Sequence, residues 1–500
     1  MPTRRTVLPI DIVADDAPTT SYAGLLPYLE LWQRLGMPRL IEETVAICGG
    51  QGWTDRQVVL ALVVLNLAGG GCMTDIDHLE ADAGLCQLVC AQEAVGLNRV
   101  ERRALAGRFR GGRSRTFPAP TQIASFLEVC REEAEEAKRE AGRAFIPAAN
   151  THLQSLQALN TGLVARLQAA APQMVATLDG DATLVETTTK AALFCYQGFR
   201  AYQPYSLWWA EQQTILHSQF RDGNVPAGFG LIAVMQAGLA MLPGGVTQVY
   251  TRQDTAAYRT DFLVWCERER EHPKYGRIRF SVSVDVTAEF RQAARAADEW
   301  TPEYRTVRGR REATGREWAE VVYVPNSQAT LSDIEPFRYL AVRERLGEQL
   351  TLLDEETRPF PTLTVNRVSY KLHGIVTNRR EMPAEELMQW HYQRCGKSEE
   401  AHAIMKEDFA GGQLPSAKFG ANAAWWALMV LSMNLQRILR GLLGGGWKTK
   451  RMKAVRYALL VRPGRRVSHA RRVYLRCSAA VAAWLATLRE RIAGLVWQPT

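Results

Sequence analysis

Apolar residues recur at helical spacing from Leu25 to about Cys90, first in LLPYLELWQRLGMPRLIEETV and then in TDRQVVLALVVLNLAGG. Thr54 followed by Gln57 makes a capping box that starts the second of these helices, and the glycine triplet 69–71 ends it. MTDIDHLEAD opens another helix. PAPTQIASFLEVC starts one at Pro120, and the charged run EVCREEAEEAKREAGR continues it with Glu and Arg four apart. A further helix, roughly Thr151 to Ala171, closes a helical N-terminal region, with residues 1 to about 20 as a loose arm.

At Met174 the period changes from helical to alternating. MVATLDGDATLVETTT is apolar up to Leu178 and alternates after it, rich in β-branched residues, and reads as a strand. Strand-like runs follow around Ala192–Tyr202 and Gln213–Phe220. The helix GFGLIAVMQAGLAML then leads to the strand VTQVYTRQD, a helix from Tyr258 to Arg270 and the strand RIRFSVSVDV. Three strands followed by strand–helix alternation predict a mixed α/β sheet with helices on its faces. Between about Thr287 and Met382, charged helix-like pieces mix with short strands such as REWAEVVYVP, FRYLAVRE and YKLHGIVTN, the pattern of an insertion before the last helices. HYQRCGKSEEAHAIMKEDFA, residues 391–410, reads as a helix, and GGQLPSAKFGANAAWWALMVLSMNLQRILRGLLGGG as a loop and a long apolar helix packed on it.

Length and composition narrow the class. Five hundred residues allow two to four domains, and 47% hydrophobic with 23% charged residues suits a globular protein. The most apolar run, Val58 to Ala68, suits a buried helix and is too short to cross a membrane. The N-terminus lacks a long apolar core, so no signal peptide is expected and the predicted location is cytoplasmic. Nine scattered cysteines, with only a CxxxC at Cys86 and Cys90, fit reduced thiols and argue against zinc. The net charge of +9 favours a polyanionic partner. Two segments concentrate it. Arg99 to Arg115 is rich in arginine and glycine with one glutamate, including Arg110 and Arg113; it is either a solvated loop or a contact to DNA backbone. Trp447 to Arg476 holds eleven Lys and Arg residues and no acid, among them Lys450, Arg451 and Lys453, and is expected to face nucleic acid.

Candidate chemistry lies on the sheet. Asp179 and Asp181 are two apart in a strand and share a face, and Asp254 ends a neighbouring strand. On the 391–410 helix, Tyr392, Glu399 and Lys406 are seven apart, which puts them within roughly 40° of one another. Such a stripe suits either a solvated face or a site for metal and phosphate. Three converging carboxylates would hold hard divalent cations, typically Mg²⁺ with Mn²⁺ as a substitute, for phosphodiester chemistry.

LDGDAT, VYTRQD, HGIVTN and the stretch from His391 to Trp426 together resemble bacterial insertion-sequence transposases of the DDE class, in the branch with a Tyr-Arg-Glu-Lys signature. The resemblance covers residues 174–430. It implies an RNase H-like core with Asp181, Asp254 and Glu399 as catalytic metal ligands. Asp181 is preferred to Asp179 as the first ligand because Asp181-Ala-Thr183 matches a D-x-T pattern. The signature departs at one place: Cys395 stands where the arginine belongs, and Arg394 is displaced by one. On a continuous helix Arg394 points about 140° from Glu399; a helix beginning near Gly396 would free it to reach DNA. Glu400 is an alternative third carboxylate that breaks the spacing.

The resemblance implies cut-and-paste transposition through hairpin ends, on duplex DNA carrying terminal inverted repeats and on target DNA, by a homodimer. Tyr392, Arg394 and Lys406 would grip phosphates. Arg252, two before Asp254 on the same strand face, and Lys190 less so, are further phosphate candidates, and Trp300 or Trp318 could stack on a flipped base. The implied architecture is a helical DNA-binding region (1–170), a core in two parts (171–286 and 383–445), a β-rich insertion (287–382) and a basic helical C-terminal region (446–500).

Overall fold

A run of apolar helices makes the first half of the core. In the computed structural model, which describes residues 18–49, 52–108, 115–307, 309–347, 358–394, 397–469 and 472–495, the helix α1 (Asp55–Ala68) is buried along almost its whole length. It starts at the Thr54–Gln57 capping box and stops at Gly69, whose φ of 99° suits glycine. The helix α2 (Thr151–Ala170) is capped by the Asn150 side chain accepting from Leu153 N.

The sheet begins with β1 (Val175–Ala182), β2 (Tyr205–Trp209) and β3 (Thr214–Gln219). The helix α3 (Leu231–Met241), β4 (Gln248–Gln253), α4 (Thr260–Glu267) and β5 (Arg279–Val284) follow. The segment up to residue 382 adds β6 (Thr301–Val307), β7 (Arg310–Val321), β8 (Arg338–Arg345), β9 (Thr362–Val365) and β10 (Val368–Thr377). Among the described residues one sheet runs in the order β3-β2-β1-β4-β5-β10-β8-β7-β6, with β9 on β10. β1, β4 and β5 are parallel neighbours, and β10 pairs antiparallel with β5 from Gly374↔Val284 to Thr377↔Ser281. The β-rich segment is thus hydrogen-bonded directly onto the core sheet.

The longer helices after the sheet are α5 (Ala384–Tyr392), α6 (Lys397–Ala403), α7 (Phe419–Leu443) and α8 (Ala479–Ala493). α7 is almost wholly buried and packs against α1 and α2, so a single apolar cluster runs from Leu25 to Ile492. A second cluster, with Leu178, Leu207, Phe280, Leu231 and Phe262, fills one face of the sheet beneath α3 and α4.

Several sequence expectations are corrected. The 192–202 run supplies only Ala201–Tyr202 to a short ladder with Val185–Glu186; the second sheet strand is β2, beginning just after Pro204. The charged run after Pro120 is interrupted: the helix ends at Glu128, and a short one spans Glu133–Glu136. A Cβ at Gly420 would collide with the Cys130 carbonyl there, so α7 crosses at this break. Thr19–Thr20, within the expected loose arm, is a strand. It pairs with a hairpin, β11 (Gly464–His469) and β12 (Arg472–Arg476), in a region expected to be helical.

A buried polar knot joins α7 to the sheet. Asn434, fully buried, accepts from Ile215 N at 2.9 Å and donates to Ile215 O at 2.8 Å and to Asn160 Oδ1 at 2.7 Å. Asn160 donates in turn to Ile215 O and Leu216 O. Replacing Asn434 strands two buried groups. Asn434→Leu is expected to lower stability by about 2–4 kcal/mol, read from chemical denaturation.

Candidate active site

Strand alternation sends Leu178 and Gly180 to the apolar face and Asp179 and Asp181 to the other. Gly180 has no alternative: a Cβ there would run into Tyr205 Oη and Gln253 Oε1, which hydrogen-bond to each other at 2.6 Å beneath it. β4 lies parallel to β1 with Arg252 opposite Asp179, and two residues on, Asp254 leaves the strand on the same face. Its Oδ1 accepts from Ala256 N at 3.0 Å.

The two aspartates of β1 have different partners. Arg252 Nε and Nη2 donate to Asp179 Oδ1 and Oδ2 at 2.6 and 2.7 Å, and the two residues are 3% and 2% exposed. Arg252 Nη1 donates onward to Trp390 O at 2.7 Å and Gln393 Oε1 at 3.2 Å, at the C-terminal end of α5. Two expectations change: Arg252 is a buried tie and no phosphate contact, and Asp179 is its counter-ion, with both carboxylate oxygens engaged. His391 adds a second tie, its Nδ1 2.7 Å from Ser281 Oγ and Nε2 3.2 Å from Ser283 Oγ on β5.

Asp181 is instead partly exposed. Arg394 Nη1 and His402 Nδ1 each lie 3.8 Å from Asp181 Oδ2. Asp254 is close enough to feel Asp181: burial and then the Asp181 charge raise its pKa, and the Arg394 guanidinium works against them. Lys406 Nζ reaches Leu184 O at 3.4 Å, just beyond the end of β1. Tyr392 ends α5 under the Arg316 guanidinium, 5.1 Å from its ring centroid.

The expected continuous helix over 391–410 is three pieces: α5 stops at Tyr392, α6 starts at Lys397, and a π-helical turn spans Ile404–Asp408. Arg394 sits in the break, which releases it from the helical rotation that would have turned it away. Glu399 lies on α6, and its side chain is outside the described residues, as are Arg110 and Arg113. His402 is not among the residues singled out from the sequence. Its spacing of three from Glu399 was the available signal that it shares the site-facing side.

Of the basic C-terminal candidates, Lys450 and Lys453 are exposed. Arg451 differs from expectation: it binds Glu407 at 2.8 Å and the buried Asp408 at 2.9 Å, tying this segment to the turn that carries Lys406. Trp300 is covered by Arg343, and Trp318 packs beside α5. Lys190 is exposed.

The donor set suits a hard cation. Asp181 and Asp254 are oxygen donors whose mutual repulsion a divalent ion relieves. Among the described residues no three His, Cys, Asp or Glu side chains stand together as a metal cluster.

The model of the family described as transposase DDE domain, group 1, matches residues 8–496. The chain belongs to that family. This transposase is a DNA-cutting enzyme of a class that uses divalent metal ions. No curated protein matches it. Among solved structures, a piggyBac transposase in a synaptic complex with hairpin DNA is similar at 11% identity and a TM-score of 0.38, over 96% of this chain and 86% of that one. Among the described residues of the transposase no single helix is long and apolar enough to cross a membrane.

Two outcomes follow from the ties beneath the site. Arg252→Met leaves Asp179 buried and unpaired and is expected to cost about 3–5 kcal/mol in chemical denaturation, with Asp179→Leu in the same chain restoring most of it. His391 is held neutral, its pKa lowered from 6.5 to about 3 by burial first and then by the Arg394 and Arg252 charges. The unfolded chain therefore binds a proton that the folded chain refuses. Stability falls as pH drops from 6.5 toward about 3. Within that window His391→Gln should flatten the pH dependence of the denaturation midpoint.

Proposed function

We propose that Asp181, Asp254 and Glu399 form the metal-holding set of a cut-and-paste DNA transposase that works with Mg²⁺, or with Mn²⁺ in its place. The observation that carries this reading is the meeting of Asp181, Asp254 and Arg394 where β1 and β4 end, with α6 starting beside them. Divalent ions bound there supply Lewis-acid activation of a water or 3′-hydroxyl and stabilise the leaving oxygen.

The chain's own side chains do the rest. Arg394, whose Nε is buried without a hydrogen-bond partner among the described residues, has donor capacity left for a scissile phosphate beside Asp181. Lys406, just past β1, supplies a second positive charge to the same backbone. Tyr392 and Arg316 at the end of α5 form a flat cationic surface for the adjoining nucleotide. Two element ends must be cut together, so the working unit is a homodimer holding two duplexes, with hairpin formation as the route to second-strand cleavage. Domain roles follow the same reading: residues 1–170 and the exposed Lys450 and Lys453 hold DNA outside the cleft.

The test is cleavage of duplex DNA bearing the inverted repeats that flank the coding sequence. Asp181→Ala, Asp254→Ala and Glu399→Ala should each lose at least about 1000-fold in Mg²⁺-dependent nicking. Binding of the same DNA should persist. Glu400→Gln should keep cleavage. Binding without cleavage by the wild type in either Mg²⁺ or Mn²⁺ would instead identify a DNA-binding protein that no longer cuts.

A further inference from the structure

The hairpin β11–β12 carries five arginines and no acidic residue between Gly464 and Arg476. One face is seated on the protein at its Gly464 end, while Val473 further along it is 55% exposed. Gly464 is buried, with no room for a Cβ against Ala23 at 2.8 Å and Leu475 at 3.0 Å, and Arg466 Nη1 donates to Gln87 Oε1 at 3.3 Å. The register puts Arg465, Val467, Tyr474 and Arg476 on the other face, and Arg465 is directly opposite Arg476. Both arginines are exposed, and Tyr474 is 44% exposed. Like charges facing each other across an antiparallel pair destabilise it, so the protein alone gives no reason for this arrangement. No described carboxylate forms an ion pair with either guanidinium, and an anion lying across the ribbon would supply the missing counter-charge.

We propose that β11–β12 is a DNA-binding ribbon whose outward face lies along the backbone of a duplex, with Arg465 and Arg476 on phosphate oxygens and Tyr474 against the sugar edge. A two-stranded ribbon has the width to enter or straddle a major groove. A second copy of this chain is the poorer occupant, because a two-fold contact through this face would set arginine against arginine. The proposal rests on the reading of the chain as an enzyme acting on duplex DNA. It adds a contact surface that is separate from the carboxylates and reads no sequence through its arginines.

The test is fluorescence anisotropy of the full chain with a labelled duplex carrying the flanking inverted repeat and with a shuffled duplex, across a salt series. Each phosphate contact contributes about 0.9 to the slope of log affinity against log salt. Arg465→Gln with Arg476→Gln should therefore reduce that slope by about 1.8 on both duplexes, or about 30-fold in affinity near physiological salt. The lysine pair should restore the slope. The glutamine variant should melt no lower than the wild type, since it removes a repulsion. An unchanged slope in a folded variant overturns the proposal. An unchanged slope with loss of the dimer on gel filtration would make the ribbon an interface between copies instead. Failure of the wild type to bind either duplex would overturn the DNA reading itself, and the ribbon with it.

Discussion

The bidentate pair between Asp179 and Arg252 is the contact on which the geometry around Asp181 depends. A carboxylate on β1 and a guanidinium on its parallel neighbour β4 meet at 2.6 and 2.7 Å, away from water, where breaking either half leaves a bare buried charge. The third guanidinium nitrogen satisfies Trp390 O, one of the last carbonyls of α5 that the helix itself cannot pair. The cation also sits at the negative end of that helix. One side chain therefore neutralises the strand, caps the helix and sets the distance between them. His391, wedged between Ser281 and Ser283, prevents rotation about that contact. Arg394 emerges three residues past the same helix turn, beside Asp181, because α5 is pinned there.

The sheet explains why so distant a segment reaches the site. β10 pairs with β5, and α5 begins seven residues after β10 ends, so the chain returns from the β-rich segment at the strand next to β4. The two sheet faces divide the labour. α3 and α4 cover an apolar layer on one, while the face with Asp179, Asp181 and Arg252 is covered by short helices and a break. Gly180 is the hinge of that division, since only a residue without a side chain lets two aspartates point one way above a filled tyrosine–glutamine contact on the other.

The strands that carry the site were legible because their neighbours were unambiguous: the apolar run up to Leu178 and a strand leading to Asp254 gave the right elements. Local pattern said nothing about the partners of the two aspartates. Asp179 and Asp181 are equivalent in period, and only the parallel register that sets Arg252 against Asp179 separates them. The second strand was misplaced because Tyr205–Trp209 is buried on both faces and shows no alternation, whereas the 192–202 run mimics it. In the hairpin β11–β12 the valines and Tyr474 favour a strand but show no alternation, since Val473, Tyr474 and Leu475 are consecutive, and the density of arginine is the stronger local signal.

The departure of the signature from its spacing resolves through backbone geometry. A straight helix over 391–410 would fix Arg394 about 140° from Glu399, and an arginine one place later would be needed to restore the match. Ending α5 at Tyr392 and restarting at Lys397 removes that constraint, so a residue one position early still arrives within 3.8 Å of Asp181. The π-helical turn at Ile404–Asp408 makes a second adjustment, where Asp408 is held by Arg451 from the C-terminal segment while Lys406 points to the end of β1. The approach of Arg394 and Lys406 to the end of β1 thus comes from departures from one continuous helix and from the buried ties around them.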